Sequence, residues 1–188
     1  MRLLVNPSTV SGEVKIPGSK SHTIRAVVIA TLAEGRSSLL DPLDSLDTRS
    51  AAGACSALGA RIELSEKEWT VEGTGGEPSV PENVIDVGNS GTTLRTTLST
   101  AALASGYTVF TGDHQIRSRP VGPLVRSLCD LGATAFTTRG TETPPVVVGG
   151  RLTGGETTIE CVTSQYLTSL LLNLPVAEKR STIHVPLL

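Results

Sequence analysis

The chain has 188 residues, 38% of them hydrophobic and 18% charged, so it carries enough apolar material for a packed core and is not a disordered tail. Aromatic residues make up only 3% and the formal net charge is −2, so neither base stacking nor a basic footprint points to nucleic acid. Cys55, Cys129 and Cys161 are odd in number, far apart and free of any CxxC or Cys/His cluster. They read as buried thiols in a reducing compartment, not as a zinc site or a disulfide framework.

From the N-terminus, MRLLVNPSTV lacks a cationic start followed by a long apolar run, so no signal peptide is expected and the cytoplasm is the expected location. The segment from Ser19, SKSHTIRAVVIATLAEG, has a polar start and a small and aliphatic body, which predicts a helix closed at Gly35. A β-rich stretch, RSSLLDPL, follows, then a second helix over Thr48–Ala60 and two short strands, RIELS and WTVEG. The same order then returns. NSGTTLRTTLSTAALASG from Asn89 predicts a helix closed at Gly106, YTVFTGDH a strand, and Arg119–Ala133 a second helix with Pro120 as its first helical residue. Both second helices reach the ending LGA, and TAFTT and PVVVGG complete the copy as strands. A third copy begins at TTIECVTSQ, with a lead-in strand, a helix from Ser164 and a strand over Thr182–Val185. Its apolar-rich stretch from Leu167 to Ala177 is broken by Ser169, Asn173 and Pro175 and is too short to span a membrane. The copy stops at VPLL with no second helix or final strand pair. The expected architecture is therefore α/β, built on a repeat of roughly 70 residues, longer than solenoid periods and suited to a small bundle of units.

Three first helices start with hydroxyl-bearing or small residues: GSKS (Gly18 to Ser21), NSGTT (Asn89 to Thr93) and TSQ (Thr163 to Gln165). Such residues cap helices, because their oxygens accept from free backbone N–H groups. A helix start also favours an anion through those N–H donors and the helix dipole. Lys20 and Arg25 belong to the first start, Arg95 lies within the second helix, and Arg119 precedes another. Gly91 removes a side chain where a ligand can approach backbone. If the units pack about a pseudo-symmetric axis, these helix ends converge on one site for an anionic small molecule. The GxxxxGK[ST] spacing is absent, so an ATP or GTP site is not indicated.

PGSKSHTIRAVVIATLAEG, GNSGTTLRTTLSTAAL, GDHQIRSRPVGPLVRSLCDLGA and TSQYLTSLLLNLPVA, in that order from about Val14 to Leu174, resemble successive signatures of the 5-enolpyruvylshikimate-3-phosphate (EPSP) synthase family. The resemblance implies repeated βαβαββ units of the enolpyruvyl transferase fold, grouped by threes into pseudo-threefold lobes. Residues 1–15 would be a strand segment of a split first lobe. Residues 16–188 would be the second lobe, with complete repeats at about 16–75 and 84–150 and a truncated third at about 154–188. The implied activity, in the shikimate pathway towards chorismate and the aromatic amino acids, transfers the enolpyruvyl group of phosphoenolpyruvate to the 5-hydroxyl of shikimate 3-phosphate and releases phosphate. By the same motifs, Lys20 would be catalytic and contact both substrates. Ser21, Arg25, Thr163, Ser164 and Gln165 would bind shikimate 3-phosphate with it; Asn89, Gly91, Arg119 and Gln165 would bind phosphoenolpyruvate. Charge-assisted bonds from Lys and Arg suit two multiply anionic substrates. A lysine beside two anions is held charged, so Lys20 fits an acid or electrostatic stabiliser better than a sole base.

Thr163 replaces the usual first serine of a serine–serine–glutamine motif, Ser90 stands where alanine is common, and Thr96 stands where a proline often follows the helix arginine. The last two changes bear on the phosphoenolpyruvate pocket, where glyphosate competes in this family. Family members run to more than twice this length, and their acid–base carboxylates come from a later lobe. The expectation is thus a chain inactive alone and completed by a separate or missing C-terminal polypeptide, with no metal, organic cofactor, nucleic acid or membrane partner. A binding module that keeps only the shikimate-phosphate half-site is a second reading. The sister family that uses UDP-N-acetylglucosamine is a third, disfavoured by Ser21 after Lys20 and by the lack of cysteine in GDHQIRSRP.

Overall fold

The computed structural model describes residues 2–186, so Met1 and Leu187–Leu188, at the ends of two expected segments, lie outside the described residues. Five α-helices and nine strands follow one another as α1 (Lys20–Leu32), β1 (Arg36–Leu40), α2 (Leu46–Ala57), β2 (Arg61–Leu64), β3 (Glu68–Glu72), β4 (Ile85–Asp86), α3 (Gly91–Ala101), β5 (Tyr107–Thr111), α4 (Gly122–Asp130), β6 (Thr134–Thr137), β7 (Val146–Gly149), β8 (Glu156–Thr158), α5 (Ser164–Asn173) and β9 (Thr182–His184). The first sheet has the order β1-β3-β2 and is antiparallel throughout. The second, β4-β5-β7-β6, repeats that pairing scheme in β5-β7-β6 and adds β4 parallel to β5. β8 and β9 pair in parallel. Strand side chains alternate between faces. Trp69 and Val71 of β3 are therefore buried together, as are Phe110 of β5 and Val146 and Val148 of β7.

The helices pack against one another under these sheets. α3 is central, touching α1, α2, α5 and the second sheet, and every residue from Gly91 to Ala101 is buried. Its sequence, GTTLRTTLSTA, is too hydroxyl-rich for an ordinary core helix, and those hydroxyls are bonded rather than solvated. Thr96 and Thr97 donate to the carbonyls of Thr92 and Thr93, one turn back, at 2.8 and 2.7 Å. Thr93 Oγ1 meets Ser90 Oγ at 2.7 Å and the Asp47 carbonyl at 3.3 Å, while Thr92, Ser99 and Thr100 meet a polar stripe of α5, where Gln165, Ser169 and Asn173 recur every fourth residue and so share one helix face. Gln165 Nε2 donates to Thr92 Oγ1 at 3.1 Å. Ser169 Oγ donates to the Arg95 carbonyl at 2.5 Å and lies 2.6 Å from Ser99 Oγ. Thr100 Oγ1 donates to Asn173 Oδ1 at 2.9 Å. Satisfied in this way, a buried polar seam fixes the register of two helices, which an apolar interface does less strictly.

Several expectations change. Residues 2–15 form no strand, and Leu3, Leu4, Val5, Val10 and Val14 are exposed, because the segment meets no strand edge among the described residues to take up its backbone hydrogen bonds. α4 begins at Gly122, with Pro123 in its first turn. Pro120 lies before the helix, and its carbonyl is taken by side chains. The second helices run Leu46–Ala57 and Gly122–Asp130, and the LGA residues after them form the turn out of each helix. Gly35, at φ +76°, makes the left-handed turn after α1. Gly106 is not a helix cap: α3 ends at Ala101, and a Cβ at Gly106 would press on Val80 Cγ2 at 2.7 Å. Of the thiols only Cys55 is buried; Cys161 is half-buried and Cys129, on the outer side of α4, is exposed.

Three measurements check this packing. Asn173→Ala leaves Thr100 and the Thr96 carbonyl without their α5 partner, and urea unfolding should show a loss of about 1–3 kcal/mol. Burial raises the Cys55 thiol from 9.0 to about 11. The unfolded chain therefore releases this proton first as pH rises, and stability should fall between about pH 9 and pH 11. Cys55→Ser should remove that slope, and neutral-pH thiol reagents should label Cys129 long before Cys55.

Candidate active site

Four helix starts meet at one open cleft of about 670 Å³. α1 contributes Lys20; α2 contributes Leu46 and Asp47, with Ser45 before it; α3 contributes Gly91 and Thr92; and α5 contributes Gln165. Leu43, Asn89, Gln115 and Arg119 complete the wall from the connecting segments. Local sequence explains the convergence. Ser19, Ser45, Ser90 and Thr163 are the N-caps of α1, α2, α3 and α5, each accepting a backbone N–H from the first turn. Ser45 and Thr48 form a reciprocal capping box. Ser90, where alanine is common in the resembling motif, is 2% exposed and bonds Thr93 Oγ1 at 2.7 Å as well as accepting its N–H. Thr163 keeps the capping role of a serine, accepting from Gln165 N at 3.4 Å. Thr96, in place of a proline, leaves α3 unbroken from Gly91 to Ala101.

Lys20 and Arg119 line the cleft and Arg95 stands behind its wall beside Gly91, and these cations are of two kinds. Lys20 Nζ is paired with Asp47 Oδ2 at 2.8 Å, and both side chains are partly open to solvent. Arg95 and Arg119 have no carboxylate partner among the described residues. Arg95 is 8% exposed, donates through Nη1 to Gln165 Oε1 at 2.6 Å, and lies over the Tyr166 ring with Cζ 5.4 Å from the ring centre. Its buried Nε has no hydrogen-bond partner among the described residues. Burial pulls the Arg95 pKa below the usual arginine value; contact with Tyr166 opposes this, and the nearby charge of Arg119 adds to it. Arg119 donates through Nη2 to Asn89 Oδ1 at 3.5 Å, and Asn89 Nδ2 donates in turn to Gln115 Oε1 at 3.0 Å.

Gly91 is what lets the two guanidiniums meet. A Cβ built there would lie 2.7 Å from Arg119 Nη1 and 3.3 Å from Arg95 Nη1. The first residue of α3 thus presents bare backbone, at a helix start, to two converging cations. An arrangement with free N–H groups, a favourable dipole and two unpaired guanidiniums is suited to a phosphate or carboxylate. Among the described residues, no group of three or more His, Cys, Asp or Glu side chains is placed to hold a metal ion. No helix there is long and apolar enough to cross a membrane.

Of the residues the sequence singled out, Lys20, Asn89, Gly91, Arg119 and Gln165 line this cleft together. Ser21, Arg25, Thr163 and Ser164 do not line it. Arg25 Nη1 donates to the Ser21 carbonyl on its own helix at 3.0 Å, Thr163 is the α5 cap, and Ser164 is the exposed first residue of α5. Sequence reasoning missed Asp47, although the Ser45–Thr48 capping box marks a helix start beside it. It also passed over Gln115, which stands in the same GDHQIRSRP segment as Arg119.

Comparison with known proteins agrees with this architecture. The family described as EPSP synthase (3-phosphoshikimate 1-carboxyvinyltransferase) matches residues 4–187. A 3-phosphoshikimate 1-carboxyvinyltransferase of Ruminiclostridium cellulolyticum is 55% identical over 185 residues, which cover 98% of this chain and 44% of the relative. That of Acetivibrio thermocellus is 58% identical over 176 residues, covering 94% of this chain and 42% of the relative. The EPSP synthase structure from Acinetobacter baumannii superposes with a TM-score of 0.85 at 28% identity, covering 94% of this chain and 41% of that one. The enolpyruvyl transferase NikO from Streptomyces tendae shares the fold, with a TM-score of 0.59 at 14% identity over 91% of this chain and 39% of its own. The chain spans less than half the length of the curated relatives it matches. It has the enolpyruvyl transferase fold, and it belongs to the EPSP synthase (3-phosphoshikimate 1-carboxyvinyltransferase) family.

Proposed function

We propose that this chain supplies the N-terminal part of the substrate cleft of a 3-phosphoshikimate 1-carboxyvinyltransferase acting in the cytoplasm. The observation that carries the proposal is the meeting of Arg119 and the buried Arg95 at the side-chain-free start of α3, with Lys20 and Gln165 on the same cleft wall. In this reading phosphoenolpyruvate sits at Gly91, with Asn89, Arg119 and Gln165 around it. Shikimate 3-phosphate is held by Lys20, Ser21, Arg25, Thr163, Ser164 and Gln165. Ser21, Arg25, Thr163 and Ser164 do not line the described cleft, so in this reading the bound shikimate 3-phosphate extends beyond it along the starts of α1 and α5.

The 5-hydroxyl gives up its proton to a base as its oxygen joins C2 of the enolpyruvyl group, and an acid delivers a proton to the methylene carbon. Loss of phosphate, and of a proton from the resulting methyl group, restores the double bond. Both halves need acid–base help and charge stabilisation at the transferring carbon. Lys20 provides a cation at that point and is the catalytic group of this half. Asp47 holds it on the cleft wall in the absence of substrate. The remaining acid–base carboxylates belong to a C-terminal lobe, carried on a continuing or separate polypeptide. Residues 1–15 belong to the other lobe in this layout, and residues 16–188 to this one.

The reading is tested by phosphate release from phosphoenolpyruvate and shikimate 3-phosphate. The expected result is no turnover by the 188-residue chain and turnover after a matching C-terminal polypeptide is added; turnover by the chain alone contradicts the proposal. Calorimetry divides the site: Arg119→Ala should weaken phosphoenolpyruvate binding about 10- to 100-fold, the range for losing a charge-assisted bond. Lys20→Ala and Arg25→Ala should weaken shikimate 3-phosphate binding. Asp47→Asn should release Lys20 and strengthen anion binding, with thermal stability changed by less than about 1 kcal/mol, since an exposed ion pair contributes little.

A further inference from the structure

Two like charges do not stay together at Gly91 without support, and the groups supporting them converge on the residue after Gln165. Tyr166 is 1% exposed, and a buried phenol needs a partner for its O–H. That partner is the carbonyl of Pro120, 2.7 Å away, in the backbone unit that directly follows Arg119. The same carbonyl receives only a long contact from Arg95 Nη2, at 3.5 Å. The ring meanwhile lies under the Arg95 guanidinium, where a π face attracts a cation. One side chain therefore holds Arg95 by its face and the Arg119 segment by its hydroxyl. Neither arginine has a carboxylate among the described residues that would do this instead.

We propose that Tyr166 is a positioning residue for the anion site: it sets the approach of Arg119 to Arg95 at the start of α3, and so the affinity for a phosphate or carboxylate group there. The inference rests on the anion-site reading given above. Tyr166 does not touch the ligand in this account; it acts through the two guanidiniums. Phenylalanine at this position would keep the ring beneath Arg95 and the packing of α5 on α3. It would release only the Pro120 carbonyl, and with it the tether on Arg119.

The test is a titration of the 188-residue chain with inorganic phosphate and with phosphoenolpyruvate, followed by NMR of the arginine Nε–H signals. In the unmodified chain both Arg95 and Arg119 signals should move. Tyr166→Phe should keep the backbone spectrum and lower the affinity by about tenfold, the effect of one lost hydrogen bond to a buried acceptor. In an Arg119→Ala background the same change should have no further effect, because its action runs through Arg119. A purely structural role would instead give losses that add in the double variant. Unchanged affinity in Tyr166→Phe, or additive losses, would overturn the role of Tyr166 while leaving the anion site in place. Arginine signals in the unmodified chain that ignore both probes would overturn the anion site itself, and this inference with it.

Discussion

The contact between α3 and α5 is where fold and chemistry become one structure. A helix buried on every side is usually apolar, yet α3 is largely Thr and Ser. Such a helix is tolerated only if each hydroxyl finds an acceptor or donor, since an unpaired buried polar group costs more than a paired one returns. α3 satisfies some hydroxyls on its own preceding turn, that of Thr93 on Ser90 and the Asp47 carbonyl, and the others on Gln165, Ser169 and Asn173 of α5. The outermost member of that stripe, Gln165, also holds Arg95 and lines the cleft. The seam that fixes the helix register therefore ends in the group that aims a cation at the ligand position.

The electrostatics follow from this support. Lys20 sits at the solvent-facing edge, paired with Asp47, and an ion pair so open to solvent is broken at little cost. Arg95 has no carboxylate partner among the described residues, and burial lowers its pKa from the usual arginine value. Gln165 and the Tyr166 ring hold the Arg95 guanidinium preorganised beside the start of α3. Gly91 and Arg119 add bare backbone and a second charge at the same place.

Much of the layout was legible in the sequence because it rests on local chemistry. Ser19, Ser90 and Thr163 announce three helix starts, and the returning order of helices and strands predicts the two similar sheets. The meeting of Lys20, Asn89, Gly91, Arg119 and Gln165 could be expected once those starts were taken to converge. What was not legible depends on distant pairing. Periodicity of apolar residues does not mark a Thr-rich helix as the centre of a core, and nothing near Arg95 in sequence shows that Gln165 and Tyr166 will hold it. The Asp47 partner of Lys20, the place of Pro120 ahead of α4, and the exposure of Cys129 are likewise set by tertiary packing. Residues 2–15, a strand by the resemblance, meet no strand edge among the described residues, and pairing is what makes a strand.

The most direct measurement is a crystal structure of the chain with phosphoenolpyruvate bound. The account predicts an anionic group at the N-terminus of α3, in contact with the Gly91 backbone and with the guanidiniums of both Arg95 and Arg119, while Gln165 keeps its bond to Arg95. A ligand seated elsewhere on the cleft, or one held by Arg119 with Arg95 turned away from it, would contradict the claim that the α3–α5 seam builds the binding site.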